Sequence, residues 1–262
     1  MASVAPACTV KWISLRMVSS PVASATRLLR CVTSMAACKL EGSVMRFDSW
    51  SKAPQSLNAL RVLLLLAFAL FASSAYSASK TVLVLGDSLS AEYGIARGTG
   101  WVNLLQERLR AEKFNVSVVN ASISGETTSG GAARLPALLK KHQPAFLIIE
   151  LGGNDGLRGL SLEATEANLR AMIKAGQLAK AKVLLLGMRL PPNYGATYTE
   201  NFHALYGKLA RENKTALVPF FLEGIATRED LFQSDRIHPS AAAHTILLDN
   251  VWPTLKPLLL KK

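Results

Sequence analysis

The chain has 262 residues, of which 50% are hydrophobic, and a formal net charge of +12. That length suits one medium α/β domain or two small ones. All three cysteines lie within the first 38 residues, so a domain beyond them has no disulfide, cysteine nucleophile or thiolate metal site. Residues 1–77 hold eight Lys/Arg and two Asp/Glu, which leaves 22 and 16 and a net charge of +6 for the rest. These basic residues are scattered through helical patterns, which favours solvated helix faces over a nucleic-acid surface.

Residues 61–77 have the pattern of a secretory signal peptide. Arg61 is followed by VLLLLAFALFASSAYS, an apolar run that ends in small residues. Its apolar core is shorter than the roughly 20 residues that span a bilayer, so we expect cleavage near Ser77, with an uncleaved membrane anchor as the alternative. Residues 1–60 are interpreted as the basic segment of this signal preceded by an extension. That extension is either disordered or the product of an over-extended gene start, with translation beginning at Met45.

From residue 78 to residue 262 the sequence predicts one α/β domain, because short apolar β-rich runs alternate with segments of helical period. Apolar strands joined by helices are typical of a parallel sheet covered on both faces. Ligands of such sheets bind beyond the carboxyl ends of the strands. The predicted strands are 81–85, 116–121, 145–151, 182–187 and 216–218, and the predicted helices are 101–113, 132–142, 163–178, 198–212 and one from residue 240 onward.

Candidate site residues follow the first three predicted strands. The segment GDSLS places the Ser88 hydroxyl at the mouth of the first strand, although Gly, Asp and Ser are also common in ordinary turns. Gly125, after the second strand, can present its backbone N–H without a side chain in the way. Asn154, in the GGND segment after the third strand, is a compact amide donor. We expect a loop there, since no helix is predicted to open directly from this segment and it lacks the GxGxxG pattern.

A candidate general base lies near the end of the chain, where Asp235 precedes His238 by three residues. Pro239 disfavours the αR conformation for His238, so the final helix is expected to start just after the histidine. An imidazole beside a helix N-terminus is biased toward the neutral form that a base requires. The preceding aspartate can fix its tautomer by accepting the Nδ1 proton.

The other histidines are weaker candidates. His142 ends a predicted helix, and His244 lies inside the last one. Glu200 and His203 are one helical turn apart and are interpreted as an exposed surface pair. The sequence has no HExxH motif and no Cys/His cluster, which argues against a catalytic metal.

Taken in order, GDSLS, Gly125, GGND and DxxH resemble the SGNH hydrolase family, also called the GDSL esterases and lipases. The segments GDSLSAEYG, ELGGNDGLRG and RLPPNYG are most similar to its bacterial periplasmic thioesterase and arylesterase members. The resemblance implies a flavodoxin-like three-layer α/β/α sandwich with a five-stranded parallel sheet. It also implies Ser88 as the nucleophile, His238 as the base and Asp235 as its orienting carboxylate. The implied oxyanion hole consists of the Ser88 and Gly125 backbone N–H groups and the Asn154 side chain.

The activity implied by the resemblance is hydrolysis of acyl esters, thioesters and lysophospholipids through an acyl-enzyme, with no cofactor and no metal. We expect a monomer that is periplasmic or secreted, binds a small-molecule substrate and no nucleic acid, and is not stably inserted in a membrane once the signal is removed. Two alternatives remain open: a carbohydrate acetylesterase of the same fold, and a non-catalytic binding module.

Two residues depart from the family pattern, and one loop is a candidate for acyl recognition. Glu92 stands where a small residue is usual, and Arg236 where glycine is frequent. Both are expected to affect substrate preference or pH response. The loop Arg189–Tyr198, with two prolines and a glycine, is expected to contact the acyl group.

Overall fold

The computed structural model describes residues 79–260, so the predicted extension at 1–60 and the predicted signal segment at 61–77 lie outside the described residues. The strands are β1 (Lys80–Gly86), β2 (Val116–Asn120), β3 (Phe146–Glu150), β4 (Lys182–Leu186) and β5 (Ala216–Val218). The helices are α1 (Trp101–Ala111), α2 (Thr128–His142), α3 (Gly153–Leu157), α4 (Leu162–Leu178), α5 (Ala196–Glu212) and α6 (His244–Leu260). Short 3-10 turns lie at Pro192–Tyr194, Glu229–Leu231 and Ala241–Ala243.

The five strands form one parallel sheet in the order β2-β1-β3-β4-β5, which confirms the predicted fold. α1 packs against α6, while α4 packs against both α2 and α5. These two groups of helices cover the two faces of the sheet and give three layers. Since β1 and β3 are adjacent at the centre, the loops that follow them open at the same edge of the sheet.

Burial explains why the strands read as continuous apolar runs. Every residue of β3 is buried, and so are the last five of β1, because helices lie on both faces. The edge strand β2 is only half-buried. One residue of β3 breaks the apolar pattern, since the carboxyl group of Glu150 is fully buried at the carboxyl end of the strand.

The expectation that no helix opens from the GGND segment is wrong. α3 begins at Gly153, after Gly152 turns the chain with a φ of +113° and its carbonyl accepts the Gly156 N–H at 3.0 Å. Only a glycine fits this turn, because a Cβ would lie 2.3 Å from the Tyr206 hydroxyl. A five-residue helix is too short to show a 3.6-residue period, so its sequence looks like a loop.

Two helix starts differ from the prediction by four residues. α2 begins four residues early, at Thr128, because the Thr127 side chain caps it by accepting the Gly130 N–H. The chain after His238 forms a 3-10 turn before α6 begins at His244. Within residues 79–260, no helix combines the length and the apolar character needed to cross a membrane.

Candidate active site

Ser88 lies in a tight turn at the carboxyl end of the central strand β1. The N–H groups of Ser90 and Ala91 both donate to the Asp87 carbonyl, at 3.3 and 3.0 Å, and this helical turn places Ser88 at its start. A larger residue at Gly86 would force its neighbours to shift, since a Cβ there would lie 2.7 Å from Glu150 Oε2 and 2.9 Å from Ser90 Cβ. Ser88 is half-buried, whereas Asp87 on one side and Leu89 on the other are buried.

A short loop presents Asp235 and His238 to this serine. An antiparallel bridge between Phe232 and Pro239 closes the loop. Inside it, Asp235 Oδ1 accepts the N–H groups of Ile237 at 2.9 Å and of His238 at 3.0 Å. Arg236 adopts a φ of +57° in this turn, a conformation that glycine reaches more easily.

The three side chains form one hydrogen-bonded chain. Ser88 Oγ lies 2.9 Å from His238 Nε2, and His238 Nδ1 lies 2.7 Å from Asp235 Oδ2. Hydrogen bonds from the His238 N–H, the His238 ring and the Ile237 N–H lower the pKa of Asp235 to about 2. An ionised carboxylate at Nδ1 holds the proton there and leaves Nε2 free to accept the hydroxyl proton of Ser88. The arrangement can therefore perform nucleophilic catalysis.

Gly125, in a loop, and Asn154, in the short helix α3, reach the same edge of the sheet. The N–H of Ile123 donates to the Gly86 carbonyl at 3.0 Å, which ties the Gly125 loop to the end of β1. Asn154 Nδ2 donates to Asp87 Oδ2 at 3.0 Å, next to Ser88 in the chain. Among the described residues, neither the Ser88 N–H nor the Gly125 N–H donates to a protein acceptor, so both can bind an oxyanion.

Two polar residues that the sequence did not single out connect the segments that carry Gly125 and Asn154. The buried Asp155 carboxylate accepts the backbone N–H of Thr128 at 2.9 Å and also its hydroxyl, so it joins the start of α2 to α3. Arg158 Nη2 donates to the Gly125 carbonyl at 3.1 Å. Asp155 could have been considered because it follows Asn154 directly. Nothing in the sequence, however, indicated that Asp155 would bind Thr128 or that Arg158 would bind Gly125.

Tyr93 contacts the candidate base. Its ring centroid lies 4.3 Å from that of His238, with the planes tilted by 39°. Gln233, in the histidine loop, donates from Nε2 to the Tyr93 carbonyl at 2.8 Å. The turn after Ser88 and the loop that carries His238 are thus joined by a ring contact and a hydrogen bond.

Glu92 organises the loop that leads into α1. Its Oε1 accepts the N–H groups of Gly98 and Gly100 at 2.9 and 2.8 Å and the Asn103 amide at 2.6 Å. Although burial raises its pKa, these hydrogen bonds outweigh burial and lower the pKa of Glu92 below the usual value. Glu92 therefore serves as a distant cap of α1, whose own N-cap, Gly100, has no side chain.

The remaining histidines have structural contacts. The buried His244 accepts the Trp101 N–H at Nδ1, at 3.0 Å, and burial lowers its pKa to about 4. His203 Nδ1 lies 3.2 Å from the Met188 carbonyl, and no hydrogen bond joins His203 to Glu200, so the expected surface pair does not form. His142 ends α2 as predicted. Within residues 79–260, no group of three or more His, Cys, Asp or Glu side chains is arranged to hold a metal ion.

A hydroxyl, an imidazole and a carboxylate in line at the carboxyl edge of a parallel sheet are the arrangement of a serine hydrolase. The comparisons with known proteins agree. The GDSL-like lipase/acylhydrolase family model matches residues 84–246. The chain is 56% identical over 183 residues to esterase TesA of Pseudomonas aeruginosa, covering 70% of this chain and 91% of that protein. It is 46% identical over 183 residues to the Escherichia coli thioesterase 1/protease 1/lysophospholipase L1, covering 70% and 86%.

A solved structure gives the same result. The crystal structure of a TesA protein matches with a TM-score of 0.67 and 56% identity, covering 68% of this chain and 99% of that one. The chain belongs to the GDSL-like lipase/acylhydrolase family, and it is an ester hydrolase of that family.

Proposed function

We propose that this protein hydrolyses acyl esters and thioesters through an acyl-enzyme formed on Ser88, with His238 as the base and Asp235 as its orienting carboxylate. The observation that carries the proposal is the chain of short contacts from Ser88 Oγ through both ring nitrogens of His238 to Asp235 Oδ2. No cofactor takes part in this chemistry.

The reaction has two halves. Ser88 Oγ attacks the carbonyl carbon while His238 Nε2 takes the hydroxyl proton, and the Asp235 carboxylate at Nδ1 stabilises the resulting imidazolium. When the tetrahedral intermediate collapses, the bond to the alkoxide or thiolate breaks and His238 returns the proton to that leaving group. A water then attacks the acyl-enzyme with His238 again as base, which releases the carboxylic acid and restores Ser88.

The negative charge of the tetrahedral intermediate falls on the former carbonyl oxygen. We assign its binding to the Ser88 and Gly125 N–H groups and to the Asn154 amide, which come from the ends of β1, β2 and β3. Losing one such donor typically lowers kcat by about 10²–10³. Asn154→Ala is therefore expected to lower kcat by about that factor.

The substrate class is inferred from the apolar groups near the site and from the relatives. Tyr93, Ile123 and Ile237 are 50%, 48% and 49% exposed, and they lie in the loops that carry Ser88, Gly125 and His238. Single exposed apolar side chains are common, but three in the loops of one site suit an acyl chain. Together with the thioesterase and lysophospholipase relatives, this supports small-molecule acyl esters, including lysophospholipids, as substrates.

The Arg189–Tyr198 loop remains our candidate for acyl selection. Two tyrosine hydroxyls of this region donate to the end of α3 and the turn that follows it, Tyr194 to the Leu157 carbonyl at 3.2 Å and Tyr198 to the Leu160 carbonyl at 2.9 Å. This loop is thereby attached to α3, the helix that contains Asn154. If the loop contacts the acyl chain, Tyr194→Ala changes the ratio of kcat/KM between long and short acyl esters, and an unchanged ratio would contradict the assignment.

We further propose that the protein acts as a monomer in the periplasm or outside the cell after signal cleavage near Ser77. The signal-peptide pattern supports export. Sequencing the N-terminus of the exported protein tests this, since the proposal requires a start near residue 78. Sedimentation of that protein tests the monomer.

The deciding experiment compares Ser88→Ala with Ser161→Ala on a series of p-nitrophenyl acyl esters and on an acetylated sugar. Ser161 is an exposed serine that caps α4, so its loss affects stability by about 1 kcal/mol and not the site. We expect the Ser88 variant to lose several orders of magnitude in kcat and the Ser161 variant to retain activity. A folded Ser88→Ala with near-normal turnover would overturn the proposal, and preference for the acetylated sugar would favour a carbohydrate acetylesterase.

A further inference from the structure

Two buried carboxyl groups lie directly behind the candidate nucleophile, and the mechanism above does not use either of them. Asp87 is 2% exposed and Glu150 is 0% exposed. Asp87 precedes Ser88 in the chain, and Glu150 ends β3, the neighbouring strand. Acidic side chains are rarely fully buried without a partner of opposite charge, and no salt bridge to either group is formed within the described residues.

Only one of the two carboxyl oxygens of Glu150 accepts hydrogen bonds. Oε2 accepts the Asp87 N–H at 3.2 Å and the Ser90 hydroxyl at 2.7 Å. The Ser90 hydroxyl is itself held by the Trp101 indole N–H at 3.1 Å. Oε1 is buried and receives no N–H or O–H donor within the described residues, while the Asp87 carboxyl lies within hydrogen-bond reach. A neutral acid fits these contacts, because it can donate its proton to Asp87.

The contacts of Asp87, in contrast, require an ionised carboxylate. Oδ1 accepts the Leu89 N–H at 3.1 Å, and Oδ2 accepts Asn154 Nδ2 at 3.0 Å. An ionised carboxylate has no proton, so only the nitrogen end of the Asn154 amide can face it. That choice fixes which way the amide points. One amide hydrogen is bound to Asp87, and the other remains available to the oxyanion.

We propose that ionised Asp87 is the positioning residue of the oxyanion hole, and that neutral Glu150 supports it by donating a hydrogen bond to its carboxylate. The inference rests on the proposed role of Asn154 as an oxyanion donor. The titration behaviour of the pair agrees: burial and the neighbouring Asp87 charge raise the pKa of Glu150 well above its usual value. Burial raises the pKa of Asp87 only to about 6, because hydrogen bonds from Leu89 and Asn154 oppose it.

Asp87→Asn is the informative substitution because it keeps the size of the side chain and removes one acceptor. The single oxygen of the asparagine cannot accept hydrogen bonds from both the Leu89 N–H and the Asn154 amide, so one of these two hydrogen bonds is lost. The Asn154 amide is then free to turn its oxygen toward the oxyanion. We expect kcat to fall by about 10²–10³, as for the loss of an oxyanion donor, with KM changed less than about threefold, since that bond forms in the transition state.

A double-mutant cycle with Asn154→Ala separates positioning from general structural damage. If Asp87 acts through Asn154, the double variant is no more than about threefold below Asn154→Ala alone. Thr215→Val is the matched control, because Thr215 also loses one side-chain hydrogen bond, 2.8 Å to the Val183 carbonyl, at the opposite end of the sheet. The factors by which Thr215→Val and Asn154→Ala each lower kcat are expected to multiply in the double variant. Multiplicative effects of Asp87→Asn would overturn the proposal.

Glu150→Gln tests which carboxyl holds the proton. A glutamine keeps a neutral donor toward Asp87, so we expect less than a tenfold loss of kcat. The reverse pattern, a near-normal Asp87→Asn and a strongly impaired Glu150→Gln, would place the proton on Asp87 and refute the assignment. If Asn154→Ala itself has no effect, the proposed oxyanion hole fails. If Asn154→Ala is impaired and Asp87→Asn is not, only the present inference fails.

Discussion

Burying the Asp87 carboxylate has a calculable effect on stability. The pKa of Asp87 is about 6 in the folded protein, against an ordinary value of 3.8, so the folded state binds this proton more tightly than the unfolded state. Stability therefore falls as pH rises between these two values. Each tenfold difference in proton affinity corresponds to about 1.4 kcal/mol, which makes the total loss about 3 kcal/mol. Asp87→Asn has no such ionisation and should escape this loss.

The assay is thermal unfolding of the wild type and Asp87→Asn from pH 4 to pH 8. For a domain of this size about 3 kcal/mol corresponds to a shift of about 6–12 °C in Tm. The wild type should lose that much relative to the variant as pH rises through about 6. The titratable groups that interact with Asp87 are Glu150, His238 and the buried Tyr206, and the Asp87 charge itself contributes to the raised pKa of Glu150. Asp249→Asn, a surface change at the Arg108 ion pair, is the control. A difference in Tm between the two proteins that stays constant with pH would contradict a raised pKa of Asp87.

Three further predictions concern neighbouring residues. Glu92→Ala should lower the free energy of unfolding by about 1 kcal/mol, as for other lost helix caps, while Glu92→Gly should lose less because glycine tolerates the φ of +59°; denaturant titration measures both. Asp235→Asn should keep its fold by circular dichroism and lose about 10⁴ in kcat, because Nδ1 loses the partner that fixes its tautomer. Tyr93→Ala should lower kcat/KM by a few-fold to tenfold and Tyr93→Phe should not, because the ring and not the hydroxyl contacts His238.

Much of the fold followed from the sequence because its strands are buried on both faces. Segments such as FLII in β3 are continuous apolar runs, and their alternation with helices leaves few topologies. The candidate triad could be predicted from the sequence for a related reason. Ser88 follows a strong strand, and Asp235 and His238 lie close enough in the chain for one turn to join them.

The rest depended on contacts between distant parts of the chain. Glu150 lies within the predicted strand 145–151 and was not singled out, and only the pairing of β3 with β1 brings it behind Asp87. α3 was missed because five residues with two glycines carry no helical period. The roles of Glu92 and His244 as caps of α1 also depend on tertiary packing. Glu92 lies eight residues from Gly100, whose N–H it binds, and His244 lies 143 residues from Trp101.

Locating the bound acyl group tests directly whether Ser88 is the nucleophile. The protein is mixed with a p-nitrophenyl acyl ester, quenched with acid within the first turnovers, digested and analysed by mass spectrometry. We predict one acyl group on the Ser88 side chain of wild-type protein, and none at that peptide in Ser88→Ala. Turnover at a normal rate with the acyl group on another residue would contradict the account.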